Sequence, residues 1–297
     1  MKKILLLLIL TFFSTNSYAE KLHVIMAGSA GGTNNAFNKE LIKDLSEFYD
    51  IISVPGQSMV KGGQIYTNTN KDSVFVMTQS SSLNAIHQTL GEEPVLEPTS
   101  ESSFMFAITY FKTMCVKKGN NLEQLFNSGN TLKIGLTDSA KVNEKYIRNL
   151  NRITNSKNIM VPYNSSGKQS QGLITGDIDV ALLNEAKAKK FTASDQMTCN
   201  YTTNKNGGNG YDSLVNKVQD DWFGWQYHGI LFGHLKNTTE EFSKEFHITV
   251  TKIINDPNSN SYKKLRKNGW FALDLSQTEL HQLYNENFDQ TLTFLED

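Results

Sequence analysis

Three times in this chain an apolar run gives way to a loop of tiny, hydroxyl-bearing residues and then to a helical pattern. The loops are residues 28–35 in "VIMAGSAGGTNNAFNKEL", 78–84 in "FVMTQSSSLNAI" and 135–141 in "KIGLTDSAKVNE". Strand, loop and helix recurring in this order build a parallel sheet, because parallel strands need a long return connection, usually a helix. The intervening sequence keeps the pattern. "KLHVIMAG", "YDIISVPG" and "DSVFVMTQ" read as strands. Residues 34–48 read as a helix with Phe37, Leu41, Ile42, Leu45 and Phe48 on one face, and "GGQIYTNTN" starts a further helix or turn.

A polar linker, "GEEPVLEPTSESS", precedes "FMFAITYFKTMCVKK", about fifteen residues of strand character, long enough to leave one domain and enter another. A second α/β unit follows. It has helix "NLEQLFNSG", strand "LKIGLTDS", a helix over 141–151, strand "NIMVPYNS", a helix over 167–175 and strand "IDVALLN". After the polar loop "TTNKNGGNGYDS", "DDWFGWQYHGILFG" returns as a long aromatic strand. Alternation there puts one face in the core, and Trp225 or Tyr227 is the candidate to line a cleft. Helices over 238–255, 262–268 and 278 to the end complete the chain.

Crossings near Tyr110 and Trp225 divide the molecule into two α/β lobes. One comprises 20–109 with 224–297, and the other 110–223. Two crossings make a hinge, with a ligand cleft between the lobes. Open α/β sheets bind ligands outside the carboxyl ends of their strands, where all three loops lie. Helix N-termini present unpaired N–H groups and partial positive charge, so such loops bind carboxylate or phosphate without Lys or Arg. N-capping explains a Ser or Thr in any one loop equally well. Three loops spread over both lobes favour an anion.

The first twenty residues, "MKKILLLLILTFFSTNSYAE", are read apart from the fold. Lys2 and Lys3, the apolar run from Ile4 to Phe13 and the small-x-small site Ser17-Tyr18-Ala19 mark residues 1–19 as a secretory signal peptide. No later stretch approaches the ~18 apolar residues of a membrane span, so no membrane insertion is expected of the mature chain. Thirty acidic residues against 29 basic give no bulk field for nucleic acid. Cys115 and Cys199, two cysteines in an exported chain, are a disulfide candidate, with two buried thiols as the alternative. No CxxC is present and none of the six histidines pairs at ligand spacing, so no metal site is expected. No G-x-S-x-G elbow and no clear titratable pair appears, so neither catalysis nor a cofactor is expected.

Six segments stand in order along the chain: "AGGTNNAFNKEL", "SVPGQSMVKGG", "MTQSSSLNAI", "VPYNSSGKQSQGLITGDIDVALLN", "WFGWQYHGILFGHLKNTTEEF" and "INDPNSNSYKKLRKNGW". Together they resemble the periplasmic solute receptors of tripartite tricarboxylate transporters, the Bug family. The resemblance spans the mature chain. It implies a two-lobed Venus-flytrap binding protein of type II, monomeric and periplasmic, that holds a small carboxylate or dicarboxylate and docks on a membrane permease. A sensing receptor that presents the same ligand to a partner protein is the alternative. Carried over by position, the ligand contacts are Ala30, Gly31, Gly32, Thr33, Asn34, Ser80, Ser81, Thr137, Ser139, Ala140 and Tyr163. Gly167 and Asp179 match the same family segment as Tyr163, with a role in the fold as the alternative for all three. Asn34 and Asn38 stand where the family carries Asp and Arg, which bears on the ligand more than on the fold.

Overall fold

The computed structural model describes residues 21–28, 32–96, 104–137, 140–163, 165–220, 223 and 229–296. The chain opens with β1 (Lys21–Met26), α1 (Thr33–Leu45), β2 (Asp50–Pro55), α2 (Met59–Asn68), β3 (Val74–Thr78), α3 (Ser80–Thr89) and β4 (Phe104–Tyr110). It continues with β5 (Lys112–Lys117), β6 (Lys133–Leu136), α4 (Ala140–Thr154), β7 (Ile159–Pro162), α5 (Ser166–Thr175) and β8 (Val180–Asn184). Then come α6 (Glu185–Ala193), β9 (Met197–Thr202), β10 (Asp212–Ser213) and α7 (Leu214–Val218). It closes with β11 (Gly229–Lys236), α8 (Glu240–Asn255), α9 (Asn260–Asn268), β12 (Trp270–Leu273) and α10 (Gln277–Glu296).

These strands form two six-stranded sheets, ordered β12-β4-β11-β3-β1-β2 and β10-β9-β5-β8-β6-β7. β1 runs parallel to β2 and β3, while β11 and β12 join antiparallel through β4. In the second sheet β6 runs parallel to β7 and β8, and β5 pairs antiparallel with β8 and β9. Strand alternation gives each sheet two apolar faces, as parallel sheets covered by helices on both sides require. On β3, Phe75 and Met77 pack with Phe37, Leu41 and Leu45 of α1, which recur every fourth residue and are fully buried. Val74 and Val76 face the other way, toward Tyr66 of α2. In the second sheet Met114, Ile134 and Leu182 meet Tyr146 and Leu150 of α4, while Cys115, Ala181 and Leu183 meet Leu173 of α5 and Ala188 of α6.

The fifteen-residue run near Tyr110 is two strands, β4 in one sheet and β5 in the other, with Phe111 alone between them. Cys115 and Cys199 sit opposite each other on β5 and β9 and are disulfide-bonded, 84 residues apart in sequence. Where a helix is expected at "NLEQLFNSG", the structure has only a 3-10 turn, Leu122–Phe126. Asn121 caps its start, and Gly129 at φ +79° turns the chain soon after its end. β12 is not anticipated; it is a four-residue edge strand, too short to show a period. The leader and the aromatic positions Trp225 and Tyr227 lie outside the described residues. Among the described residues no helix is long and apolar enough to cross a membrane.

Candidate functional site

Strand register locates the place where the two sheets meet. Tyr110, the last residue of β4, stands opposite Gly229 and Trp270. β11 carries that edge on to Thr78, because Phe232 stands opposite the last residue of β3. Tyr110 is therefore at the carboxyl edge of the parallel strands β1 and β3. Lys112, the first residue of β5, stands opposite Asn184, the last residue of β8. That is the carboxyl edge of the second parallel core. One residue, Phe111, thus joins the two edges at which α/β proteins bind ligands. The elements also touch nearby, since a Cβ on Gly269, after α9, would lie 3.3 Å from the backbone nitrogen of Ala186 in α6.

Several helices begin at these edges. α1 starts after Gly32, whose φ of -70° and ψ of 157° are extended, and no side chain caps it. α3 starts after Gln79, again without a side-chain cap. α4 follows β6, and α5 follows β7 with Ser165 as its cap. None of these four carries an acidic residue in its first turn. The edges are not uniform, since α6, which follows the parallel strand β8, carries Glu185 in its first turn, as α8 and α10 elsewhere carry Glu240, Glu241 and Glu279. A carboxylate in the first turn answers the positive end of a helix. Omitting it leaves four such ends able to take an external anion. Gln79 reaches across the edge and donates to the Tyr110 hydroxyl at 2.6 Å, and the Tyr110 ring stacks on Trp270 with centroids 5.6 Å apart.

The sequence-predicted contacts divide into three groups. Ala30, Gly31 and Ser139 lie outside the described residues. Gly32 and Thr33 open α1 and are half-buried, Ala140 opens α4, and Thr137 follows β6. The side chains of the others turn into the fold. Ser80 Oγ is hydrogen-bonded to His234 Nε2 at 2.8 Å, and Ser81 Oγ donates to Asn287 Oδ1 at 2.8 Å. Both serines are fully buried, so their hydroxyls tie α3 to β11 and α10, and only their backbone belongs to the edge. The Tyr163 hydroxyl lies over Gly172, two turns into α5, where a Cβ would come within 2.2 Å of it. It is directed along α5 away from the carboxyl edge, and burial, then the charge of Asp177, raises its pKa. Asn34 Nδ2 donates to the carbonyl of Ala27 at 2.6 Å, and Asn38 Nδ2 points at the same oxygen from 3.4 Å. Both amides brace the end of β1, and the Oδ1 atom of each is buried without a partner. Asp179 holds the opposite edge, accepting from the backbone N–H of Lys133 at 2.8 Å.

The structure adds a residue that the loop motifs do not reveal. Lys112 is 3% exposed, and its ammonium donates to Thr137 Oγ1 at 3.4 Å. A single Lys inside the apolar run "FMFAITYFKTMC" is the sequence signal for it, since a lysine is almost never fully buried without a reason. Lys187, on the first turn of α6, donates to Ser166 Oγ at 2.6 Å, and burial, then Lys190, lowers its pKa. Among the described residues no group of three or more His, Cys, Asp or Glu is placed to hold a metal ion.

No family model and no curated protein matches the sequence. Solved structures do match. An R. palustris protein with adipate superposes with a TM-score of 0.69 at 12% identity, over 94% of this chain and 99% of its own. The periplasmic binding protein BugD gives 0.67 at 10% identity, over 94% and 98%. MatC from Rhodopseudomonas palustris, with bound malate, gives 0.64 at 13% identity, over 93% and 99%. The chain has a two-lobed, type II periplasmic-binding-protein fold. At these identities the likeness is one of fold, and it extends over nearly the whole length of each partner.

Proposed function

We propose that this protein is a periplasmic solute-binding protein. It captures a small organic anion, a carboxylate or dicarboxylate, in the cleft between lobes 20–109 with 224–297 and 110–223, and delivers it to a membrane permease of the tripartite tricarboxylate type. The observation that carries this reading is the set of acid-free helix N-termini at the two carboxyl edges joined through Phe111. Fixed N–H donors of this kind are preorganised and lose little entropy on binding. Malate and adipate, held by proteins of the same fold, are the first probes for the cleft. Export through the leader, binding without turnover and action as a monomer complete the reading.

The test is a thermal-shift screen of mature protein, unfolded and refolded to strip any carried ligand. The panel contains mono-, di- and tricarboxylates, amino acids, phosphate and sulfate. A carboxylate at ~100 times its dissociation constant is expected to stabilise the fold by ~2.7 kcal/mol. A flat response across the panel from well-folded protein contradicts the reading.

A further inference from the structure

We infer that Asn287, on α10, is a positioning residue for the ligand: through Ser81 and Ser82 it fixes the first turn of α3, so that the backbone N–H groups there stay uncapped and in place for the anion. This rests on the carboxylate-binding reading and deepens it. Ser80, Ser81 and Ser82 fill the first turn of α3, yet no side chain caps that helix. Leu83 donates the first intrahelical bond, to the carbonyl of Gln79 at 3.0 Å, and the N–H groups of the three serines precede it. Serine hydroxyls near a helix start commonly turn back onto such groups. In α3 all three hydroxyls are engaged outside the helix. Ser80 Oγ is hydrogen-bonded to His234 Nε2 at 2.8 Å, and Ser81 Oγ and Ser82 Oγ both donate to one atom, Asn287 Oδ1, at 2.8 and 2.9 Å. Asn287 is 3% exposed and belongs to the buried stripe Leu280, Tyr284, Asn287, Thr291 and Phe294 of α10, which recurs every three or four residues. Leu280 and Tyr284 root that stripe in the core beside Phe104 and Phe232, and the Tyr284 hydroxyl accepts from Asn84 Nδ2 at 2.8 Å. α3 is thus held from α10 at its start and again one turn on. Donors carried on a held turn lose little entropy when the anion arrives, and a released turn forfeits that advantage.

A double-mutant cycle on ligand affinity tests this. Its corners are the wild type, Asn287→Leu, Ser81→Ala with Ser82→Ala, and all three substitutions together. Each is titrated calorimetrically with adipate and malate at a temperature where it is folded, with the ligand-free melting temperature as the fold control. Asn287→Leu is expected to weaken binding by about 10-fold, the scale of coupling within one hydrogen-bond network. In the Ser81→Ala, Ser82→Ala background the same substitution is expected to change affinity by less than about 2-fold. A purely structural role moves the melting temperature and leaves the affinity of the folded protein where it was. Unchanged affinity in folded Asn287→Leu therefore overturns the inference while leaving the carboxylate reading intact. An equal loss in both backgrounds also overturns it, because Asn287 then does not act through the serines. Wild-type protein that binds no carboxylate overturns both. Should Asn287→Leu fail to fold, Ser81→Ala with Ser82→Ala decides, since it removes the same two bonds: a loss of about 10-fold is expected, and affinity equal to the wild type overturns the inference.

Discussion

Between pH 6.5 and 3 this protein is expected to lose on the order of 4–5 kcal/mol of stability through one side chain, His234. His234 lies in β11, fully buried among Phe104, Phe232 and Tyr66. Burial, then the proximity of His281, lowers its pKa from 6.5 to about 3. The folded state therefore holds the ring neutral, while the unfolded chain protonates it near 6.5. Stability from this group is complete above pH 6.5. It falls by about 1.4 kcal/mol per pH unit on acidification and is gone below pH 3. The local chemistry agrees with the sign. Nε2 is committed to Ser80 Oγ, and Nδ1 is buried without a partner, so a second proton would leave both a charge and an N–H unsolvated. Urea unfolding across this range, wild type against His234→Gln, isolates the effect, because the variant keeps a hydrogen-bonding group for Ser80 and cannot titrate. A flatter profile for the variant is expected, and parallel profiles contradict it. Asp44 also contributes acid sensitivity, but in a lower range. Burial alone would raise its pKa, yet hydrogen bonds from Ser261 and Asn260 outweigh that and hold it below 3.8.

Removing the Cys115–Cys199 disulfide, as Cys115→Ser with Cys199→Ser, is expected to lower stability by about 4 kcal/mol. The two residues are 84 positions apart, so the bond closes a long loop in the unfolded chain and removes much of its entropy. Cys115 is also fully buried between strands, where an unpaired serine hydroxyl adds cost. Urea unfolding measures the loss, with the slope rising because the unfolded chain is freed to expand. Equal stability of the variant and the wild type would show that the bond does not constrain the fold.

Much of this fold is legible in sequence because its signals are periodic. Phe37, Leu41 and Leu45 mark one face of α1, and the alternation of Val74, Phe75, Val76 and Met77 suits a strand covered on both sides. Side-chain direction is the part that periodicity does not carry. Ser80 and Ser81 have the residue type and loop position of ligand contacts, but their partners, His234 and Asn287, lie 154 and 206 positions away. Tyr163 directly follows a strand at the correct edge, yet Gly172 and Gly135 leave room for its ring to lie back along α5. Lys112 was hidden for the opposite reason. It belongs to no loop motif, and only the register of β5 against β8 shows that it stands at the carboxyl edge.

The anion is expected to rest on the backbone N–H groups at the start of α1. Calorimetric titration of refolded wild-type protein and Gly32→Pro with adipate and malate decides this. Gly32 already has a φ of -70°, which proline adopts, so the substitution removes an N–H with little strain at that residue. The wild type is expected to bind at least one of the two probes. The variant is expected to bind that probe about 10-fold or more weakly at an unchanged melting temperature, the scale of one hydrogen bond to a charged group. Undiminished affinity in the variant, or no binding of either probe by the wild type, would contradict it.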